Sequence, residues 1–197
     1  METTSDEQIT YEDWALAELA RQSWERCEFL EVDLTEAALT GCAFTSCAFN
    51  TVKFNAATLT RCAFLQCTFR RCVFFDSTFD ECKLTGTTFQ ECELRPMHIL
   101  GGDWAYVSLR GEDLTGNNLA GLRLREADFT EATLIKTDLS KADLAHARLH
   151  NVKLRDSDLR GANLDGVDLR GLDLAGVRID LAQAAAFATA HGATVSA

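Results

Sequence analysis

Stepping through the sequence five residues at a time from Trp24, every position as far as Ile179 is Phe, Leu, Ile or Trp. The run covers 32 consecutive positions, of which 18 are Leu, 10 Phe, 2 Ile and 2 Trp. Hydrophobic residues make up 47% of the chain, so chance would produce such a run in well under about one sequence in a hundred million. A second column, two residues before each of these centres, is mostly small or apolar, as at Ala37, Val52, Ala57, Ala127, Ala132, Ala142, Ala162 and Val167; Gln22, Glu112 and Asn117 are among its few polar members. The other three positions of each repeat are mainly Thr, Asp, Glu, Arg, Lys, Asn or Gly. Neither a helix of 3.6 residues per turn nor a flat strand of period two yields apolar spacings of two and three repeated every five.

A chain that turns a corner every five residues does yield them. Four such sides close a square coil of about 20 residues, and coils stack through backbone hydrogen bonds at the ~4.8 Å spacing of neighbouring strands. Ten of the twelve glycines, from Gly41 to Gly176, lie two residues after a centre, where a corner requiring positive φ would favour them. Pro96 occupies the same column. The expected fold class is all-β: a right-handed quadrilateral parallel β-helix, a solenoid with two columns pointing in and three out.

A solenoid exposes an apolar cross-section at its ends, which need caps. At the C-terminus Asp180 can N-cap a helix from Leu181 to about Ala190, with Gly192 as its stop and Ala193-Thr194-Val195 as a short strand. At the N-terminus Thr10-x-x-Asp13 has the form of a capping box before Trp14-Ala15-Leu16-Ala17-Glu18-Leu19, while Ile9, Trp14 and Leu19 equally continue the five-residue register; helical cap and further coil both remain open. The expected organisation is an N-terminal extension or cap over residues 1–21, the β-helix over 22–180, and a C-terminal helix and tail over 181–197.

The formal charge of −11 argues against direct nucleic-acid binding, which draws its affinity from Lys and Arg on phosphates. Residues 1–36 hold 11 acids against 2 bases, residues 37–100 hold 5 against 6, and residues 101–197 hold 14 against 11. No apolar run approaches the ~18 residues of a membrane-spanning helix, and the acidic start lacks the basic and apolar regions of a secretory signal, so a cytoplasmic location is expected. All eight cysteines (Cys27, Cys42, Cys47, Cys62, Cys67, Cys72, Cys82, Cys92) fall in the inward column, which fits core packing better than a zinc or disulfide framework. His146 and His150 have an i, i+4 spacing, but a coil of this kind puts them on adjacent walls as surface side chains, and His98 and His191 stand alone. No phosphate loop, nucleophile elbow or poised carboxylate pair is present, and a packed solenoid is expected to offer no pocket for one. The expectation is a protein without catalytic residues, metal or cofactor.

The pattern in Ala127-Asp128-Phe129, Ala142-Asp143-Leu144 and Ala162-Asn163-Leu164 resembles the pentapeptide-repeat family. More narrowly, Glu112-Asp113-Leu114 through Arg123-Leu124-Arg125-Glu126, the segment Leu94-Arg95-Pro96 and the tail from Arg178-Ile179-Asp180-Leu181 to Ala190-His191-Gly192 are similar to its mycobacterial fluoroquinolone-resistance members. Residues 1–21 precede the point where that similarity begins. The resemblance implies a rod-shaped homodimer joined through C-terminal helices, whose negative surface imitates duplex DNA and binds DNA gyrase, a type II topoisomerase. On that reading Asp113, Asp128, Asp138, Asp143, Asp158, Asp168 and Asp173 face the partner, and Leu181, Ala184, Ala185, Phe187, Ala188 and Val195 form the dimer contact. Arg123, Arg125, Arg148, Arg155, Arg160 and Arg170 are interleaved with those carboxylates. The alternative is an interaction scaffold or immunity factor for another cytoplasmic partner.

Overall fold

The computed structural model describes residues 3–196 and is a quadrilateral parallel β-helix in which residue i pairs with residue i+20. The first coil contains β1 (Thr3–Ser5), β2 (Gln8–Thr10) and β3 (Glu18–Ala20), which pair with Ser23–Glu25, Glu28–Leu30 and Ala38–Thr40 of the second. The ladder therefore runs unbroken through the residues expected to form an extension. Between the two readings of the N-terminus the structure selects the further coil: Ile9, Trp14 and Leu19 pack against the core, and residues 10–21 form no helix. The capping-box reading fails because Ile9 and Leu19 pair with Phe29 and Leu39, and Asp13 beside Trp14 bridges to Asp33, pairings that a local helix would forfeit.

Every centre from Trp24 to Leu159 is exposed by no more than 9%. In the first half the Phe rings stack coil on coil: Phe44 lies 4.7 Å from Phe64, and Phe69 lies 4.7 Å from Phe49 and 5.1 Å from Phe89. The corner column holds positive φ, as the glycines suggest, yet 24 non-glycine residues adopt it among the described residues, from Asp6 at 58° to Asp156 at 61°. Left-handed backbone costs an L-residue about 1–2 kcal/mol, so the ladder bonds and core burial of each coil must outweigh a strain repeated at most corners.

The change from Phe with Cys to Leu with Ala along the chain follows corner geometry. On one wall of the first half, and at every corner from Trp104 to Leu164, the centre carbonyl accepts the N–H three residues on, as in Ala37 to Leu34 (3.1 Å) and Ala127 to Leu124 (3.1 Å). Corners after Leu19, Leu39, Phe44 and Leu59 lack that bond. Their carbonyls instead take the thiol of the cysteine 23 residues later: Cys42 to Leu19 (3.5 Å), Cys62 to Leu39 (3.4 Å), Cys67 to Phe44 (3.4 Å), Cys82 to Leu59 (3.1 Å). A buried carbonyl without a partner costs about 1–3 kcal/mol; where the turn bond is missing a small side chain with a donor is needed, and where it is present alanine suffices. All eight cysteines are free, and burial pushes the Cys72 thiol up, keeping its donor hydrogen in place.

Helix α1 (Leu181–Ala190) closes the C-terminal end. Asp180 Oδ1 accepts the Gln183 N–H (2.9 Å) and Gln183 Oε1 accepts the Asp180 N–H (3.0 Å), while Asp180 Oδ2 takes the Gly161 N–H from the coil below (2.8 Å). The Gln183 amide donates to the carbonyls of Leu159 and Ala162, the first of which also accepts the Ala162 N–H. Ala193-Thr194-Val195, expected as a short strand, has no ladder partner and is irregular. No helix among the described residues is long and apolar enough to cross a membrane.

Candidate partner-binding surface

The seven carboxylates expected to face a partner stand immediately before their centres, and the 20-residue register spreads them over all four walls. Asp138 and Asp158 share one wall, Asp128 and Asp168 a second, Asp113 and Asp173 a third, and Asp143 lies on the fourth. They are not gathered on one face. Each also has a local task, because its Oδ1 accepts the N–H two residues on, from Asp113 with Thr115 (2.9 Å) to Asp173 with Ala175 (3.0 Å). That Asx bond fixes the entry to the corner.

Arginines, from the neighbouring coil or from two residues on, then take up most of the charge. Arg95 meets Asp113 (3.1 Å), Arg148 meets Asp128 (3.2 Å), Arg125 meets Asp143 (3.3 Å) and Arg170 meets Asp168 (3.2 Å). Only Asp138 and Asp173 of the seven are without an ion pair among the described residues. Asp158 departs from the outward placement expected of it, with its side chain 4% exposed between Arg160 (2.7 Å) and Arg178 (3.1 Å). The bonded Arg160 guanidinium, with Arg178 beyond it, holds this carboxyl at about 2. A depressed native pKa stabilises the fold above the unfolded value of ~3.9, an advantage lost as pH falls through about 2. Asp158→Asn is expected to cost about 1.5–3 kcal/mol at pH 7, with the gap to the parent narrowing below pH 4 in urea melts.

Glu112 shows the opposite sign. Its carboxylate sits in the inward column at 5% exposure and accepts the Cys92 N–H at 3.1 Å. Burial pushes its carboxyl up. Its neutral form is favoured below the unfolded value of ~4.3, and the benefit disappears as pH rises through the raised native value. Glu112→Gln is therefore expected to stabilise the protein by about 1 kcal/mol at pH 7, since the amide oxygen still accepts the Cys92 N–H without a buried charge. Thermal melts at pH 7 and pH 4 check this, the gain at pH 7 fading at pH 4.

The unpaired acid lies toward the other end. Residues 3–40 carry ten carboxylates against Arg21 and Arg26, and the ion pairs there engage Asp6 and Glu25 with Arg26 and Asp33 with Lys53. The sequence shows this asymmetry; apart from Arg160 with Asp158 and Arg170 with Asp168, the aspartate pairing of the second half becomes visible only once residues 18 to 20 apart are neighbours.

Helix α1 presents two faces. Gln183 and Phe187 are buried against the last coil, so Phe187, expected at the dimer contact, belongs to the interior of its own chain. Leu181 (90% exposed), Ala184 and Val195 face outward, with Ala185 and Ala188 half-buried between the faces. Ile179, Asp180, Leu181, Ala182 and Ala184 line a shallow apolar depression on that outer side.

The solenoid is not free of clefts. Its ladder omits the bridges that would join Arg148 to Asp168 and Lys153 to Asp173, although Asp143↔Asn163 and Asp158↔Arg178 are present on either side. The gap is a cleft of about 330 Å³ lined by residues including His146, Arg148, His150, Gly166 and Asp168. His146 and His150, expected on adjacent walls, thus share its rim. Among the described residues no group of three or more His, Cys, Asp or Glu side chains is placed to hold a metal ion.

The family model for pentapeptide repeats matches in eight copies, at residues 53–90, 108–145 and 142–180. The chain belongs to the pentapeptide-repeat family. Solved structures agree on the fold of this pentapeptide-repeat protein. A trypsin-treated variant of QnrB1, a plasmid-mediated fluoroquinolone resistance protein, superposes with a TM-score of 0.66 at 21% identity, over 98% of this chain and 97% of that one. A second trypsin-treated variant gives 0.60 at 19% identity over 99% and 100% of the two chains, and full-length QnrB1 gives 0.52 at 18% over 98% and 100%. No curated protein is matched by sequence.

Proposed function

We propose that this pentapeptide-repeat protein is a non-catalytic, cytoplasmic DNA mimic that occupies the DNA-binding surface of DNA gyrase, and so denies a fluoroquinolone or similar poison the gyrase–DNA complex it needs. The observation that carries the reading is a rod with a net charge of −11. At ~4.8 Å per coil, about nine coils give roughly 43 Å of length, and five residues per side give a width of roughly 20 Å, close to that of duplex DNA. The fluoroquinolone resistance of QnrB1 supports the same direction. The carboxylates that hold no cation, Asp138 and Asp173 together with the N-terminal acids other than Asp6, Glu25 and Asp33, supply the attraction; the ion-paired aspartates mainly hold corners. Two rods join through the outer face of α1, at Leu181 and Ala184, which doubles the acidic length.

Supercoiling by purified gyrase over a salt series tests this. Inhibition should weaken as salt rises, and Asp138→Asn with Asp173→Asn, which keeps both Asx acceptors while removing two charges, should inhibit a few-fold less well with an unchanged melting temperature. Full supercoiling activity at low salt with the parent protein in excess would remove the gyrase reading. The second reading, a scaffold or immunity protein for another partner, draws on the local tasks that absorb most of the second-half aspartates.

A further inference from the structure

The two ends of the rod differ. Where α1 seals the C-terminal end, β1, β2 and β3 each lie at the terminus of their sheet order. Ile9, Trp14 and Leu19 are packed against the core on one side and half-exposed on the other. Tyr11 and Leu16, at neighbouring corners, are 70% and 71% exposed. In the second coil the N–H groups of Glu28, Asp33 and Ala38 donate back to the carbonyls of Glu7, Glu12 and Ala17 at 2.9, 3.0 and 2.9 Å. Their first-coil counterparts, on Gln8, Asp13 and Glu18, point away from the stack and have no backbone acceptor among the described residues. An edge of this kind, with an apolar floor and unmet donors, is a template for strand addition.

Charge selects the occupant. Residues 3–20 carry Asp6, Glu7, Glu12, Asp13 and Glu18 and no Lys or Arg, and among the described residues only Asp6 of these is ion-paired. A second copy set end to end would bring two such acidic rims together, which like-charge repulsion opposes. We propose that the N-terminal edge is a docking site for an extended basic segment of a partner protein, which adds as a strand on the first coil. Its backbone meets the N–H groups of Gln8, Asp13 or Glu18, its apolar side chains cover Trp14 and Leu19, and its Lys or Arg residues pair with Glu12, Asp13 and Glu18. This site does not rest on the gyrase reading, although that reading draws on the same N-terminal acids.

The probe is a fluorescein-labelled synthetic peptide of alternating lysine and valine, with a glutamate–valine peptide of equal length as control, added to the full chain. Anisotropy should show binding of the basic peptide alone, and hydrogen exchange should show added protection at one or more of Gln8, Asp13 and Glu18. Glu12→Lys with Glu18→Lys, both exposed, should weaken binding at least tenfold with an unchanged melting temperature. Equal binding by this variant, protection elsewhere on the rod, or binding of both peptides alike would overturn the proposal. Light scattering showing a dimer that Trp14→Lys dissolves would overturn it as well, by assigning the edge to a second copy.

Discussion

Alanine at Gly102 is expected to cost the protein about 3 kcal/mol or more, the largest effect of any single methyl group added to this chain. Gly102 is the one glycine of the repeat region outside the corner column: it stands two residues before Trp104, in the inward column, at φ 114°. A Cβ there would overlap the Cys82 carbonyl oxygen and lie 3.0 Å from the Cys82 nitrogen. Both are backbone atoms of the adjoining coil, held by the pairing of Met97–Asp103 with Ser77–Lys83, so they cannot swing aside as a side chain would. Left-handed strain and steric overlap act together. Alanine at Gly111, whose Cβ would meet nothing within 4 Å, serves as the comparison, since it carries the φ penalty of about 1 kcal/mol alone. Urea melts of the two variants should differ by roughly 2 kcal/mol; equal losses would mean that the coils can part at Cys82 without penalty.

Phe69→Ala should be of similar size, about 3–5 kcal/mol. Phe69 is fully buried, lies between Phe49 and Phe89 in its own stack, and meets Phe54, Phe64 and Phe74 at 5.8, 5.4 and 5.3 Å from adjoining walls. Removing the ring leaves a cavity bounded above and below by coils whose spacing is set by backbone bonds, so the walls cannot close around it. Phe69→Leu keeps most of the volume and should cost less than half as much. In a solenoid each coil contacts only its neighbours, so the alanine variant should also lose cooperativity. Chemical denaturation followed by near-ultraviolet signals should then resolve two transitions, one for each side of the gap, where the parent shows one.

The contrast between these two residues shows what a sequence of this kind reveals. Phe69 is legible because the five-residue rule marks every centre without reference to three-dimensional neighbours. The helix cap at Asp180 is equally legible, as its partner Gln183 is three residues away. Gly102 is not, since its reason for being glycine lies 20 residues back, on Cys82. The cysteines are read correctly as interior side chains, but their task for carbonyls 23 positions earlier depends on which corners close a turn bond, a property of φ and ψ. The seven aspartates mark the limit for function. Repetition makes them conspicuous, their fixed place before each centre hints at an Asx role, and the stacking of coils is needed to show that arginines 18 to 20 residues away have already claimed Asp113, Asp128, Asp143 and Asp158, while Arg170 takes Asp168 from two residues on.

The most direct test of the DNA-mimic account is displacement of a labelled DNA duplex from purified gyrase by this protein, followed by anisotropy at several salt concentrations. The account predicts that the duplex is released as protein is added and that more protein is needed as salt rises, because two acidic rods compete for one basic surface. Duplex that stays fully bound at saturating protein and low salt would contradict it.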